Sequence, residues 1–458
     1  MSNPGSDRCV NCGFVLDEVT PAGMLSPAPR RRALVPDLDL ELESVVDGVT
    51  TLQELPSPSS TPRLAIEDID PSAKSFGSFL LATGSAFSQS KYTTEEMIEA
   101  FHKGRQLVGD HDYDRDFTER VFKVCGFVGH SVALPKDRLF VHFSRSEYLQ
   151  HRRTAMRTLA EAACQEALAI WGGDRKAITH LFWGTMTGGM DSPTTDIFLT
   201  SSLGLSMDVK RTSIEGMGCL TGFRLLNLAR EVCLNNPSAR ILVVAADLRS
   251  ALGNLLPRRV ERADIVSCAL FRDAASAAVV GAHPRAGESP LYEMMAGASR
   301  IVPDSLDNVD YSELDGGFLR LHLSKDLPVT VASAEPAFVS DLLAEAAHQQ
   351  IVSDGHYDPL PPLHDMDIAL HTGGPRVLRE VARVLGTSDD RLKASWQILQ
   401  ANGNLSGASN LAVLHRQAQM PDGRPWVVCL SMGPGVCLEG LVLRRPHSAF
   451  HSSVFSHS

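Results

Sequence analysis

The sequence predicts an α/β protein with largely covered sheets, and three features point that way. Segments with helical spacing alternate with short apolar runs along most of the chain. Several of those runs, Ile241-Leu-Val-Val-Ala-Ala246 above all, are apolar on both strand faces, as strands covered by helices on each side must be. Glycine and proline punctuate the boundaries between them.

Residues 1–72 stand outside this pattern. Prolines and serines cluster at Ser26–Pro29 and Pro56–Ser60, a basic run sits at Arg30-Arg31-Arg32, and acidic residues follow between Asp37 and Glu43. Such a segment buries too little apolar surface to offset its ordering entropy, so a disordered extension is expected. Order is expected from about residue 73, with Phe76–Gly84 as the first strand. Helices follow at Thr93–Val108 and Asp116–Val124, the second capped by Asp116 or Thr118. Ser144–Trp171 reads as a long helix stopped by Gly172-Gly173, Ile178–Gly184 as a strand, and Thr187–Pro193 as a turn. Arg211–Ile214 is extended and tightens through Glu215-Gly-Met-Gly218 to Cys219. A helical run, Leu220–Asn235, leads from there to the strand at Ile241. Apolar runs at Ile265–Phe271 and Ala275–Val280 flank Arg272-Asp273. The second half repeats the alternation: a helix at Pro336–Gln350 with proline in its first turn, a strand at Met366–Leu370, and a helix at Pro375–Leu385. Two closing strands, Trp426–Ser431 and Val436–Leu443, lie around Gly433-Pro-Gly435. The Ser/His-rich residues 447–458 form a frayed tail.

An apolar content of 43% is that of a soluble globular protein, and a formal charge of −11 argues against general nucleic-acid binding. No apolar run is long enough to span a bilayer and no signal-peptide core opens the chain, so a cytoplasmic location is the expectation. Nine cysteines scattered through apolar segments do not make a secreted disulfide framework. Cys9-Val-Asn-Cys12 has the spacing of half a zinc site, but no second ligand pair accompanies it.

Chemistry gathers at three places. Glycines on both sides of Met217 let the backbone turn so that Cys219 stands at a helix start, where unpaired N–H groups and the helix dipole favour a thiolate. His371, in Leu370-His-Thr-Gly-Gly-Pro375, closes a strand and opens a helix; a histidine there acts as base or as an imidazolium partner of the thiolate. Asn404, in Asn402-Gly-Asn-Leu-Ser-Gly-Ala-Ser409, offers an amide to a developing oxyanion, or a helix cap.

In this order and spacing, Cys219, His371 and Asn404 resemble the Cys–His–Asn triad of the thiolase superfamily. The chain resembles most closely the type III polyketide synthases, the chalcone and stilbene synthase family, over roughly residues 78–443. Leu203-Gly-Leu, Asn235-Asn-Pro-Ser-Ala-Arg240, Cys268-Ala-Leu-Phe-Arg-Asp273, Leu321-His-Leu-Ser-Lys-Asp-Leu-Pro328 and Met432-Gly-Pro-Gly435 extend the match. The resemblance implies a thiolase-like αβαβα layered sandwich of two similar halves, residues 73–290 carrying the cysteine and 291–446 the histidine and asparagine. It implies a homodimer that loads an acyl-CoA starter on Cys219, extends it with malonyl-CoA by decarboxylative Claisen condensation, and releases a pyrone, resorcinol or related aromatic polyketide. No permanently bound cofactor is required. Phe271 matches the phenylalanine between the CoA tunnel and the reaction cavity. Arg120 and Lys123 match positions that meet CoA phosphates, although Phe127 stands at a third, usually basic one. Ser192, Leu252, Ser312 and Ser406 fall at or near positions that shape the cavity, Ser192 where a methionine often reaches into the partner's. Departures are Arg272-Asp273-Ala274 for the usual Gly-Asp-Gly, and Thr372 for a proline. Two other readings stay open: a single-condensation 3-oxoacyl synthase with the same triad, and a catalytically retired partner protein. A papain-like hydrolase would carry its nucleophile in a different local sequence.

Overall fold

In a computed structural model, residues 77–188, 191–315, 318–355 and 358–446 are described. The extension 1–72, the Cys9/Cys12 pair, Phe76 and the tail 447–458 lie outside the described residues. Nine strands form one sheet that is in effect two. In the first half, β1 (Phe79–Phe87), β2 (His180–Thr185), β3 (Lys210–Glu215), β4 (Arg240–Leu248) and β5 (Asp273–Gly281) lie in the order β1-β5-β4-β2-β3. In the second, β6 (Tyr292–Ile301), β9 (Asp367–Leu370), β10 (Trp426–Gly433) and β11 (Cys437–Arg444) lie in the order β6-β11-β10-β9. The second order repeats the first without its last edge strand. Only Phe79–Glu293 and Leu80–Tyr292 pair across the join. A separate hairpin pairs β7 (Val309–Glu313) with β8 (Leu319–Leu323).

Helices complete five layers. α3 (Arg145–Trp171) covers the outer face of the first half-sheet and α7 (Leu327–Asp354) that of the second. Between the half-sheets lie α5 (Thr221–Asn235) and α10 (Ala408–Ala418), each touching strands of both halves. Burial on both faces explains why every residue of β4 and β5 is buried and why those strands carry no apolar–polar alternation. The central pair packs tightly because Gly222 has no side chain: a Cβ there would sit 2.8 Å from the Gly407 carbonyl and 2.9 Å from the Asn410 Cβ.

Four smaller helices flank this sandwich in the first half: α1 (Thr94–Leu107), α2 (Arg115–Val124), α4 (Thr195–Ser202) and α6 (Arg262–Leu270). In the second half α8 (Pro375–Val384) and α9 (Lys393–Asn402) do so. Thr93 and Ser144 close capping boxes on α1 and α3, and Gly172 ends α3 in the left-handed region. Two expectations are corrected. The cap of α2 is Asp114, whose carboxylate accepts the Phe117 N–H at 2.8 Å, and neither Asp116 nor Thr118 serves. α7 begins nine residues before Pro336, with Pro328 in its first turn, because the buried stripe of Val331 and Ala332 continues upstream and holds the helix across Pro336.

Candidate active site

The turn carrying Cys219 links β3 to α5. Gly216 and Gly218 have φ of 82° and 59°, values that side chains resist, and a Cβ on Gly218 would lie 2.7 Å from Cδ of Pro434. Cys219 stands in a one-turn 3₁₀ segment, Gly218–Leu220, that runs into α5, and Thr221 Oγ bonds the Gly218 carbonyl at 2.6 Å. Part of the residue is accessible, but burial around the sulfur pushes the thiol up to about 11. Asp247 pushes the same way, while Arg249 and Ser406 act against it. The thiolate expected from the helix start is therefore not the resting form: desolvation outweighs the dipole.

His371 directly follows β9 and is 1% exposed. The sequence reading missed the residue that orients it. Asn410, on α10, donates its amide to the Cys219 carbonyl at 2.9 Å, which leaves its oxygen facing His371 Nδ1 at 3.2 Å. An oxygen there accepts, so Nδ1 carries the proton and Nε2 holds a free lone pair. Nε2 is buried with no hydrogen-bond partner, and burial lowers the imidazole to about 4. Cysteine and histidine are thus a neutral pair at pH 7. The only sequence signal for Asn410 was its place in the first turn of the helix that follows Asn404.

Asn404 is pinned through its backbone. Its N–H donates to the Leu270 carbonyl at 3.1 Å and its carbonyl accepts from Arg272 at 2.8 Å, which sets Phe271 directly beside it. Its side-chain oxygen accepts the Ser406 N–H at 2.9 Å, so the amide nitrogen is the group left to donate. That nitrogen makes one long bond, 3.4 Å, to the Gly373 carbonyl in the histidine loop, and a second N–H remains. Asn404 is no helix cap; Gly407 occupies that place. Ser406, at φ 54°, brings its hydroxyl to 4.0 Å from Cys219 Sγ. Beneath the site, buried Asp247 gathers the backbone N–H groups of Met186 (2.7 Å), Thr187 (3.2 Å) and Gly407 (3.0 Å) and so ties three loops together.

The two departures have local explanations. Arg272 is buried and caps α6: its guanidinium donates to the carbonyls of Cys268 (2.8 Å), Ala269 (2.9 Å) and Phe271, and to His130 Nδ1 (2.7 Å). Thr372 donates to Ser409 Oγ at 2.7 Å, which in turn accepts the Leu405 N–H at 3.0 Å, joining the histidine loop to the asparagine loop. Arg272→Leu strands several buried carbonyls, and each such loss costs about 1–3 kcal/mol before relief of the buried charge is counted. A drop in stability of about 2 kcal/mol is expected, read as a lower urea midpoint with unchanged slope.

Of the remaining residues singled out in the sequence, Phe271 and Leu252 line one narrow cavity with Arg249, Cys268 and Phe318, whose open volume is about 10 Å³. Ser192 and Ser312 are exposed, and the neighbour of Ser312, Tyr311, is the residue that faces Arg249. Arg120 and Lys123 are exposed on α2, Lys123 paired with Glu119 at 3.3 Å. A wider open groove of about 650 Å³, lined by Lys91, Gln397, Asn402 and Arg416 among others, contains none of these groups, so size does not mark the site. Among the described residues no cluster suits a metal ion, and no helix is long and apolar enough to cross a membrane.

Two like halves in five layers, with Cys219 of one tied through Asn410 to His371 of the other, define a thiolase-like fold. Residues 143–284 match the family model described as chalcone and stilbene synthases, N-terminal domain, and residues 293–446 match its C-terminal counterpart. The chain belongs to the chalcone and stilbene synthase family. It is 32% identical over 288 residues to a probable polyketide synthase 1 of Dictyostelium discoideum; the match covers 63% of this chain but only 9% of that protein. Among solved structures, the C-terminal type III polyketide synthase domain of Steely1, a type I/III hybrid from Dictyostelium, aligns with TM-score 0.71 and 26% identity. That alignment covers 81% of this chain and 99% of that one. A fungal type III polyketide synthase, ORAS, aligns with the same TM-score at 22% identity, over 81% and 100% of the two chains, a likeness of fold.

Proposed function

We propose that the protein is a type III polyketide synthase that condenses CoA thioesters on Cys219. The observation that carries this reading is the Cys219–Asn410–His371 network, in which Asn410 joins the Cys219 carbonyl to His371 Nδ1 and leaves Nε2 without a partner, while Asn404 Nδ2 reaches the histidine loop. Sγ attacks the carbonyl of an acyl-CoA starter while its proton passes to His371 Nε2. The oxyanion accepts a hydrogen bond from Asn404 Nδ2, and CoA leaves with the proton. In malonyl-CoA the bond to the carboxylate breaks, carbon dioxide departs, and the electron pair becomes a thioester enolate whose oxygen meets the same donors. The enolate carbon attacks the acyl–Cys219 carbonyl; sulfur leaves as thiolate and takes a proton from water, since its own left with CoA, and the chain stays on the incoming CoA, two carbons longer. Further rounds and ring closure give a pyrone, resorcinol or related aromatic product. Arg120 and Lys123 meet the CoA phosphates; the Lys123–Glu119 pair is a surface contact worth little and yields to them. The protein works as a cytoplasmic homodimer, with Ser192 on the loop turned to the partner.

The small open volume beside Phe271 favours few extensions and supports a second reading, a single condensation. Incubation with labelled malonyl-CoA and a panel of starters separates the two: a product that never grows beyond one added unit and never cyclises overturns the polyketide assignment. Asn404→Ala is expected to slow both loading and malonyl decarboxylation about 10²–10³-fold, because one oxyanion donor is lost from both. A loss confined to either step contradicts the shared role.

A further inference from the structure

Arg249 is the buried charge that the mechanism above leaves unused. It follows β4 directly, two residues beyond Asp247, and is 4% exposed. Its nitrogens Nε, Nη1 and Nη2 all lack a hydrogen-bond partner, and no other buried arginine among the described residues is left so completely bare. The comparison within the same molecule is direct. Buried Arg240 is matched to Glu288, Arg152 to Asp191, and Arg272 spends its donors on carbonyls. Asp247 acts on Arg249 through space but gives it no hydrogen bond; its oxygens accept from Met186, Thr187 and Gly407. What surrounds the guanidinium is aromatic: its carbon lies 4.3 Å from the Phe271 ring centroid and 5.1 Å from that of Tyr311. Such stacking holds a cation in place and leaves its in-plane N–H donors free. Arg249 helps line the cavity shared with Leu252, Phe271 and Phe318, and its charge is felt at Cys219. Tyr311 and Asp247 hold that charge through space against its desolvation, yet none of its N–H donors meets an acceptor, and an anion in the cavity would supply one.

We propose that Arg249 anchors a carboxylate at the far end of the acyl group, so that the starters taken best are monothioesters of dicarboxylic acids. This rests on the thioester-condensing reading above. Two thioester carboxylates are available to such a group, that of malonyl-CoA and one on the starter, and chemistry favours the starter. A clamp on the malonyl carboxylate stabilises the ground state more than a transition state in which that charge is leaving, and so slows extension. A starter's remote carboxylate keeps its charge throughout. The planar guanidinium fork suits a bidentate pair with it.

Binding is the decisive measurement, since it needs no turnover. Succinyl-, glutaryl- and adipoyl-CoA are titrated against butyryl-, pentanoyl- and hexanoyl-CoA on the full-length Cys219→Ala protein, with and without Arg249→Met. At least one dicarboxylic member is expected to bind about 10²-fold tighter than its neutral counterpart, and Arg249→Met to erase that ratio. Equal affinities in the parent protein overturn the proposal, as does a preference that survives Arg249→Met. Tighter binding of malonyl-CoA alone, lost in Arg249→Met, overturns the starter assignment. A second readout separates an anchor from a structural arginine: the unliganded Arg249→Met protein is expected to melt no lower than the parent, because no hydrogen bond is given up and methionine keeps the apolar contact with Phe271. A fall in melting temperature overturns the anchor. If the ratio behaves as expected but no starter acylates Cys219 in the wild type, the anion site stands and the condensing function falls.

Discussion

Cys219→Ala is expected to abolish acyl transfer, with a rate loss of about 10⁶-fold, the scale seen when a covalent nucleophile is removed. Loading and every condensation of the proposed cycle pass through that sulfur, and no other described cysteine is tied to His371 through Asn410. Cys125, Cys164, Cys233 and Cys429 are buried, Cys268 is pushed up to about 12 by its burial, and part-exposed Cys437 is raised by burial and by Glu439. Intact-mass spectrometry after incubation with starter CoA is the check: one acyl increment on the wild-type chain, none on Cys219→Ala. An adduct that persists in the variant places the nucleophile elsewhere. The variant is expected to fold, since Thr221 and Asn410 hold the turn through backbone carbonyls that alanine also carries.

Why the sequence disclosed some of this and not the rest follows from the range of the interactions. Helix starts at Thr93 and Ser144, the stop at Gly172 and the apolar strands are local chemistry, and they were legible. The three residues of the proposed triad could be picked out by their spacing and flanking motifs. Asn410 could not, because its role is defined by two partners, 191 and 39 residues away along the chain. Arg272 and Thr372 read as departures bearing on product; their contacts make them a helix cap and a tie between loops. The cap of α2 was missed by two residues, since Asp114 and Asp116 are equivalent as letters and only the backbone decides which carboxylate meets an N–H. Cys219 shows the same limit energetically. A helix start predicts a thiolate, but the packing that desolvates the sulfur comes from both halves of the fold.

That neutral thiol leads to the sharpest test, His371→Gln. With the imidazole held down to about 4 and the thiol up to about 11, the wild-type protein keeps both groups in working form between those values. Loading should therefore be nearly independent of pH across the neutral range and fall as pH drops through about 4, where Nε2 becomes protonated and can no longer take the proton. Without the base, sulfur must ionise unaided. At pH 7, about four units below its own pKa, only about one molecule in 10⁴ carries the thiolate. His371→Gln is thus expected to load starter about 10⁴-fold more slowly at pH 7, and the deficit should shrink about tenfold for each unit of rising pH. The sign is decisive. A preformed thiolate–imidazolium pair would make the wild-type rate fall as pH rises through the imidazolium pKa, and iodoacetamide would alkylate Cys219 rapidly at pH 6. Either result excludes proton transfer to His371 at the moment of attack, the step for which Asn410 fixes the tautomer.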